Sequence, residues 1–185
     1  MNLIDRLLAN YASQVKLPWS NNTSGKQRVW FAVYPPAEER RVRSRLPQFE
    51  ALTLEANHDW VEVDLTRLLP EWFAMHEYRE GIFKEPEHFS SNNELETLAV
   101  QRVREACSSD GVNESTVVVV IGLSSLFDFM RVSSLIESVE DSVRGRLLVL
   151  FPGEFSGSVY RFMDARDGFN YMAVPITSTL SFINS

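Results

Sequence analysis

Cysteine is almost absent. Cys107 stands alone, which excludes an internal disulfide and a cysteine-based zinc site and suits a reducing compartment. The three histidines, His58, His76 and His88, lie too far apart in sequence for metal-ligand spacing. Glycine occupies eight positions, and none builds a G-x-G-x-x-G or a G-x-S-x-G motif; "IGLSSLF" lacks the second glycine of a nucleophile elbow. No apolar run approaches the roughly 18 residues that span a bilayer, since the longest, Val117–Leu123, has strand length. Positive charge is in deficit, with 18 Lys and Arg against 25 Asp and Glu and a net charge of −7. Nucleic-acid binding through the phosphate backbone needs the opposite balance, so direct DNA binding is not expected. The opening residues, "MNLIDRLLANY", carry Asp5 and lack a cationic leader, so they read as a helix rather than a signal peptide. A cytoplasmic protein without a membrane partner is the expectation.

What is present is an alternation of helical and strand-like patterns. Leu3, Leu7, Tyr11 and Val15 recur at helical spacing as far as Pro18. Arg28–Tyr34, Trp60–Leu65, "STVVVVIGL", Arg146–Phe151 and Tyr171–Ile176 read as five strands. The third is apolar throughout, which fits a strand covered on both faces of a parallel sheet. Between them, Pro36 opens a helix that "AEERRVRSRL" continues to Pro47. Ser91 and Glu94 form a capping box ahead of Leu95, Leu98, Ala99, Val103 and Ala106, and Phe129, Val132, Ile136, Val139 and Val143 space a further helix. The expected fold class is α/β: a single domain over residues 1–185 with a central, mostly parallel five-stranded sheet and helices on both faces. This is P-loop-like layering without a Walker A motif, because "SGKQ" has Gln27 where the magnesium-binding hydroxyl belongs and precedes the first strand.

No residue is assigned a catalytic role, and no metal or cofactor is expected. The best acidic grouping is Asp64, Asp128 and Glu154, each near the carboxyl end of a strand where open α/β sheets bind ligands. With a divalent ion they would serve a phosphodiesterase or a nucleotide-binding enzyme. Helix capping competes for Asp64 and Asp128. Two arginine-containing stretches suit protein docking instead. One is the helix with Arg40, Arg41, Arg43 and Arg45. The other is "FPGEFSGSVYRFMDARDGFNYMAV", Phe151–Val174, read as a glycine-rich loop carrying Phe155, Tyr160, Arg161, Arg166 and Phe169. Ion pairing of Arg161 and Arg166 with Glu154, Asp164 and Asp167 is the competing use of its charges.

Three blocks, "FAVYPPAEERRVRSRL", "VVVVIGLSSLFDFMRVSSLIESV" and "LLVLFPGEFSGSVYRFMDARDGFNYMAVPI", follow in order through most of the chain. Together they resemble the BrxB family of BREX (bacteriophage exclusion) defence systems, the block containing Phe-Pro-Gly-Glu being the most specific. The resemblance implies a small non-catalytic component of a multiprotein assembly, a scaffold whose partners are the alkaline-phosphatase-like PglZ protein first, then the adenine methyltransferase or the large ATPase. It supplies no catalytic residues.

Overall fold

The computed structural model describes residues 1–75 and 93–178. His76, His88 and the Ser91 half of the expected capping box lie outside the described residues.

Five strands form a parallel ladder: β1 (Val29–Tyr34), β2 (Asp59–Asp64), β3 (Thr116–Ile121), β4 (Arg146–Ser156) and β7 (Val174–Thr177). Their order is β2-β3-β4-β1-β7, and each neighbouring pair is parallel. The α/β class and the mostly parallel sheet read from the sequence are both present. The most apolar runs occupy the interior positions: every residue of β1 and β3 is buried, while β2 lies at one edge with exposed Asp59, Glu62 and Asp64. Pro175 sits in the opposite edge strand, β7, where a residue without an N–H leaves the ladder intact.

Strand alternation then divides the core in two. Trp30, Ala32 and Tyr34 of β1, with Val117, Val119 and Ile121 of β3, face α1 (Leu3–Val15), α2 (Glu39–Ser44) and α3 (Leu46–Glu55). Val29, Phe31 and Val33 point the other way, to α4 (Leu68–Met75), α5 (Glu94–Ser108) and α6 (Val132–Val139). Among the described residues no helix is long and apolar enough to cross a membrane.

Helix ends depart from the sequence reading in physical ways. The single helix expected from Pro36 to Pro47 is a 3-10 turn, Pro36–Glu38, followed by α2; Pro47 lies in the first turn of α3. Proline is tolerated there because that turn has no use for its N–H. Ala56 caps α3, and Asn57 follows in the left-handed region at φ 62°. The amides of Asn57 and His58 donate back to the carbonyls of Leu54 and Thr53, a Schellman closure. Helix α6 starts at Val132, after a 3-10 turn at Leu123–Leu126, so Phe129 precedes it and Val143 follows it.

The largest difference concerns Phe151–Val174. Instead of a loop, β4 runs on through Ser156 and turns back as β5 (Val159–Phe162), which pairs with β6 (Phe169–Asn170). Gly157 (φ 55°) and Ser158 (φ 75°) make the two-residue turn, both with the positive φ of a type I′ hairpin. A Cβ on Gly153 would lie 2.1 Å from the Arg161 carbonyl oxygen, so the returning strand can approach only a glycine. The last parallel strand accordingly begins at Val174 rather than Tyr171, and Tyr171 and Ala173 turn into the core.

Candidate functional site

Beyond the carboxyl ends of β3 and β4, two connections leave a cleft between them. The first follows β3: Leu123 and Leu126 anchor its 3-10 turn in the core, and Phe127, Phe129 and Met130 remain half-buried. Arg131 comes next, exposed, at the N-cap of α6. The second is the returning strand β5 with the turn after it, Met163–Gly168. Phe162 is buried, and its ring centroid lies 5.8 Å from that of Phe127, which joins the two walls. Between them a cavity of about 310 Å³ is lined by Phe127, Met130, Arg131, Phe162, Arg166 and Phe169, among others. A second cavity of about 560 Å³ shares Phe127, Met130 and Arg131 and extends to Asn93, Glu96 and Asp128. The position accords with the rule that open α/β sheets take ligands beyond their strand carboxyl ends.

The floor of this cleft is aromatic and its lip carries two arginines, with Asp167 beside Arg166 and Glu96 and Asp128 on the larger cavity. Arg131 and Arg166 are exposed, and among the described residues neither guanidinium has an ion-pair or hydrogen-bond partner. The expected pairing of Arg161 and Arg166 with Glu154, Asp164 and Asp167 does not form. Glu154 and Arg161 do stand opposite one another across the hairpin.

The docking residues read from the sequence separate into three groups. Arg166 and Phe169 line the cleft. Tyr160 does not: it is 0% exposed, its hydroxyl donates to the Ala173 carbonyl at 2.8 Å, and its ring meets those of Phe31 and Phe155 at 4.6 and 4.5 Å. Burial drives the Tyr160 phenol well above its ordinary range. Phe155 is half-buried on this aromatic cluster, and Arg161 is exposed on the hairpin away from the cavity lining. Tyr160 is therefore a core residue, because the segment is a hairpin folded onto the sheet.

Helix α2 packs on the opposite face through Val42, so its arginines share no surface with the cleft. Two of them are already engaged, Arg41 with Glu38 at 2.8 Å and Arg43 with Asp64 at 3.0 Å; Arg40 is exposed without a partner among the described residues.

The acidic grouping is not assembled either. Asp64 accepts from the Thr66 amide at 2.9 Å and the Thr66 hydroxyl at 2.5 Å, which shapes the turn leaving β2. Asp128 lies on the rim of the larger cavity, with Arg131 and not Asp128 at the N-cap of α6. Glu154 is exposed on the hairpin. Among the described residues no three His, Cys, Asp or Glu side chains are grouped to hold a metal ion.

Strands β4 and β1 are adjacent, and their chains leave in opposite directions, β1 toward β2 and β4 toward β7. Such a switch point is where phosphate-binding sheets present backbone N–H groups. Here β1 runs into Pro35 and Pro36, which have none, and then Glu38 and Glu39. The Tyr34 hydroxyl donates to Glu39 at 2.5 Å. Burial first, then the Glu39 carboxylate, push the Tyr34 phenol far up. Carboxylates in place of amide donors repel a phosphate.

Sequence reasoning passed over Phe127, Met130 and Arg131. Their signal was "LFDFMR", an aromatic and basic stretch directly after the most apolar strand. Comparison with protein-family models, with curated proteins and with solved structures finds no match to this chain.

Proposed function

We propose that the protein is a non-catalytic docking component of a BREX phage-defence assembly, holding a partner in the cleft between Phe127–Arg131 and Phe162–Phe169. PglZ is the first partner to test, followed by the methyltransferase and the large ATPase. The three sequence blocks that resemble BrxB support the assembly. The observation that supports the surface is the unpaired Arg131 and Arg166 above an aromatic floor. Aromatic and arginine side chains are the groups that interface hot spots favour, and free guanidinium groups suit acidic side chains on the partner. The rigid β-hairpin behind one wall lowers the ordering cost of association.

The test is co-elution of the purified protein with each partner, repeated with Arg131→Ala and Arg166→Ala together. Both residues are exposed, so unfolding in urea should change little, while affinity for the true partner should fall by about 10-fold or more. Unchanged affinity for every partner removes the cleft from the proposal.

A further inference from the structure

The other end of the sheet, where the parallel strands begin, gathers two guanidinium groups and, among the described residues, gives neither a carboxylate. Arg146, the first residue of β4, is 6% exposed. Its Nη1 donates to the Gly145 carbonyl at 2.9 Å, and its Cζ lies 4.7 Å from the Trp19 ring centroid and 5.8 Å from that of Trp30. Among the described residues it has no other hydrogen bond and no ion pair. Arg28, just ahead of β1, donates from Nη1 to the Val143 carbonyl at 2.9 Å and from Nη2 to the Asn21 carbonyl at 3.0 Å. Its Nε is buried without an acceptor, and so is the indole N–H of Trp19.

His58 completes the group. The Schellman closure of α3 fixes its backbone, its ring stacks on Trp19 at 3.5 Å and 2°, and Nδ1 lies 3.0 Å from the Ser115 hydroxyl. Desolvation, and to a lesser degree the charge of Arg146, hold its imidazole below the ordinary range. The cluster therefore carries the two guanidinium charges and a neutral imidazole. Roughly nine in ten buried donors have an acceptor, and a buried charge without a counter-charge is strongly unfavourable. Two orphaned donors and a buried, carboxylate-free arginine in one place indicate an acceptor that the chain itself does not supply.

We propose that Arg146, Arg28 and Trp19 form a receptor for a phosphate-type oxyanion at the amino end of the sheet. Two positive charges match a dianion. A tetrahedral oxyanion also presents acceptors to three donor groups arriving from different elements, which a single carboxylate does less well. The Arg28 Nε and the Trp19 N–H are closed to solvent, and Arg28 is held by the Asn21 carbonyl, so an entering oxyanion must displace the groups that cover these donors. Inorganic phosphate and a phosphate monoester share this chemistry. The site stands apart from the cleft and does not rest on the docking proposal.

Thermal unfolding of the full chain decides it, followed by tryptophan fluorescence in inorganic phosphate, in adenosine monophosphate and in sodium chloride of matched ionic strength. Either phosphate at ten times its Kd should raise Tm by about 3–6 °C over chloride. An equal response to the two marks the free ion as sufficient; a larger one to the nucleotide marks the ester. Arg146→Met and Arg28→Met should each abolish the phosphate-dependent rise. Arg28 is only half-buried, so Arg28→Met carries the test if Arg146→Met does not fold. General exclusion of phosphate from protein surfaces would act on the variants as much as on the wild type. A rise retained in full by a folded variant overturns the proposal, as does no rise in the wild type.

Discussion

Replacing Tyr160 separates a hairpin folded into the core from a loop held out for a partner. In the structure its ring lies among Phe31, Phe151, Phe155 and Phe169, at centroid distances from 4.5 to 5.9 Å, and its hydroxyl satisfies the Ala173 carbonyl. Tyr160→Phe keeps the ring and removes the hydrogen bond, leaving a buried carbonyl unpaired, at a cost of about 1–2 kcal/mol. Tyr160→Ala also deletes the ring from a packed aromatic cluster, where truncation costs about 3–5 kcal/mol, so the total should approach the upper end of that range. Arg166→Ala, an exposed residue in the turn after β5, should stay within about 0.5 kcal/mol of the wild type. Urea unfolding followed by tryptophan fluorescence measures all three. The order alanine, then phenylalanine, then the arginine variant is the expected result. A cost below about 1 kcal/mol for Tyr160→Ala, with an unchanged urea slope, refutes the placement of the hairpin.

Two further outcomes follow from the same packing. Gly153→Ala should destabilise by about 2–3 kcal/mol in urea unfolding, because its Cβ would collide with the Arg161 backbone; Gly157→Ala, strained in φ but facing open space, should cost only about 1 kcal/mol. Stability should also fall at alkaline pH, since burial lifts the Cys107 thiol from 9.0 to about 11 and raises the phenols of Tyr11, Tyr34, Tyr160 and Tyr171. Folded values above the unfolded ones mean that the folded state keeps its protons longer, so this stability is intact below about pH 9 and is lost as pH climbs above it. Tyrosinate absorbance should therefore rise together with unfolding, and a non-cooperative titration of these phenols in folded protein contradicts their burial.

The parallel sheet was legible because its strands are nearly pure runs of Val, Leu, Ile and aromatics, as in "STVVVVIGL" and "RLLVLF". Chain punctuation was harder to read. The sequence pattern ends a helix at Pro47, yet Pro47 lies in the first turn of α3, since proline both stops a helix and fits a first turn that has no use for its N–H. In "EFSGSVYRF" the glycine reads as part of a loop, while the Gly-Ser pair between alternating residues is the signature of a tight hairpin. The cleft combines side chains from Phe127–Arg131 with others more than thirty positions later, brought together only by the adjacent ends of β3 and β4. The paired arginines beside Trp19 are separated more widely still, and nothing local in sequence links them.

β4 is a single eleven-residue ribbon that belongs to two ladders. Its first half is clamped between β3 and β1 in the middle of the molecule, and its second half carries the hairpin behind the cleft. The backbone joining them has no hinge, so a load applied at Gly157 is delivered directly to the centre of the sheet rather than absorbed by a swinging arm. Amide exchange should accordingly remain slow along β4 as far as Gly153, and a protein seated against the hairpin meets a surface as stiff as the core beneath it.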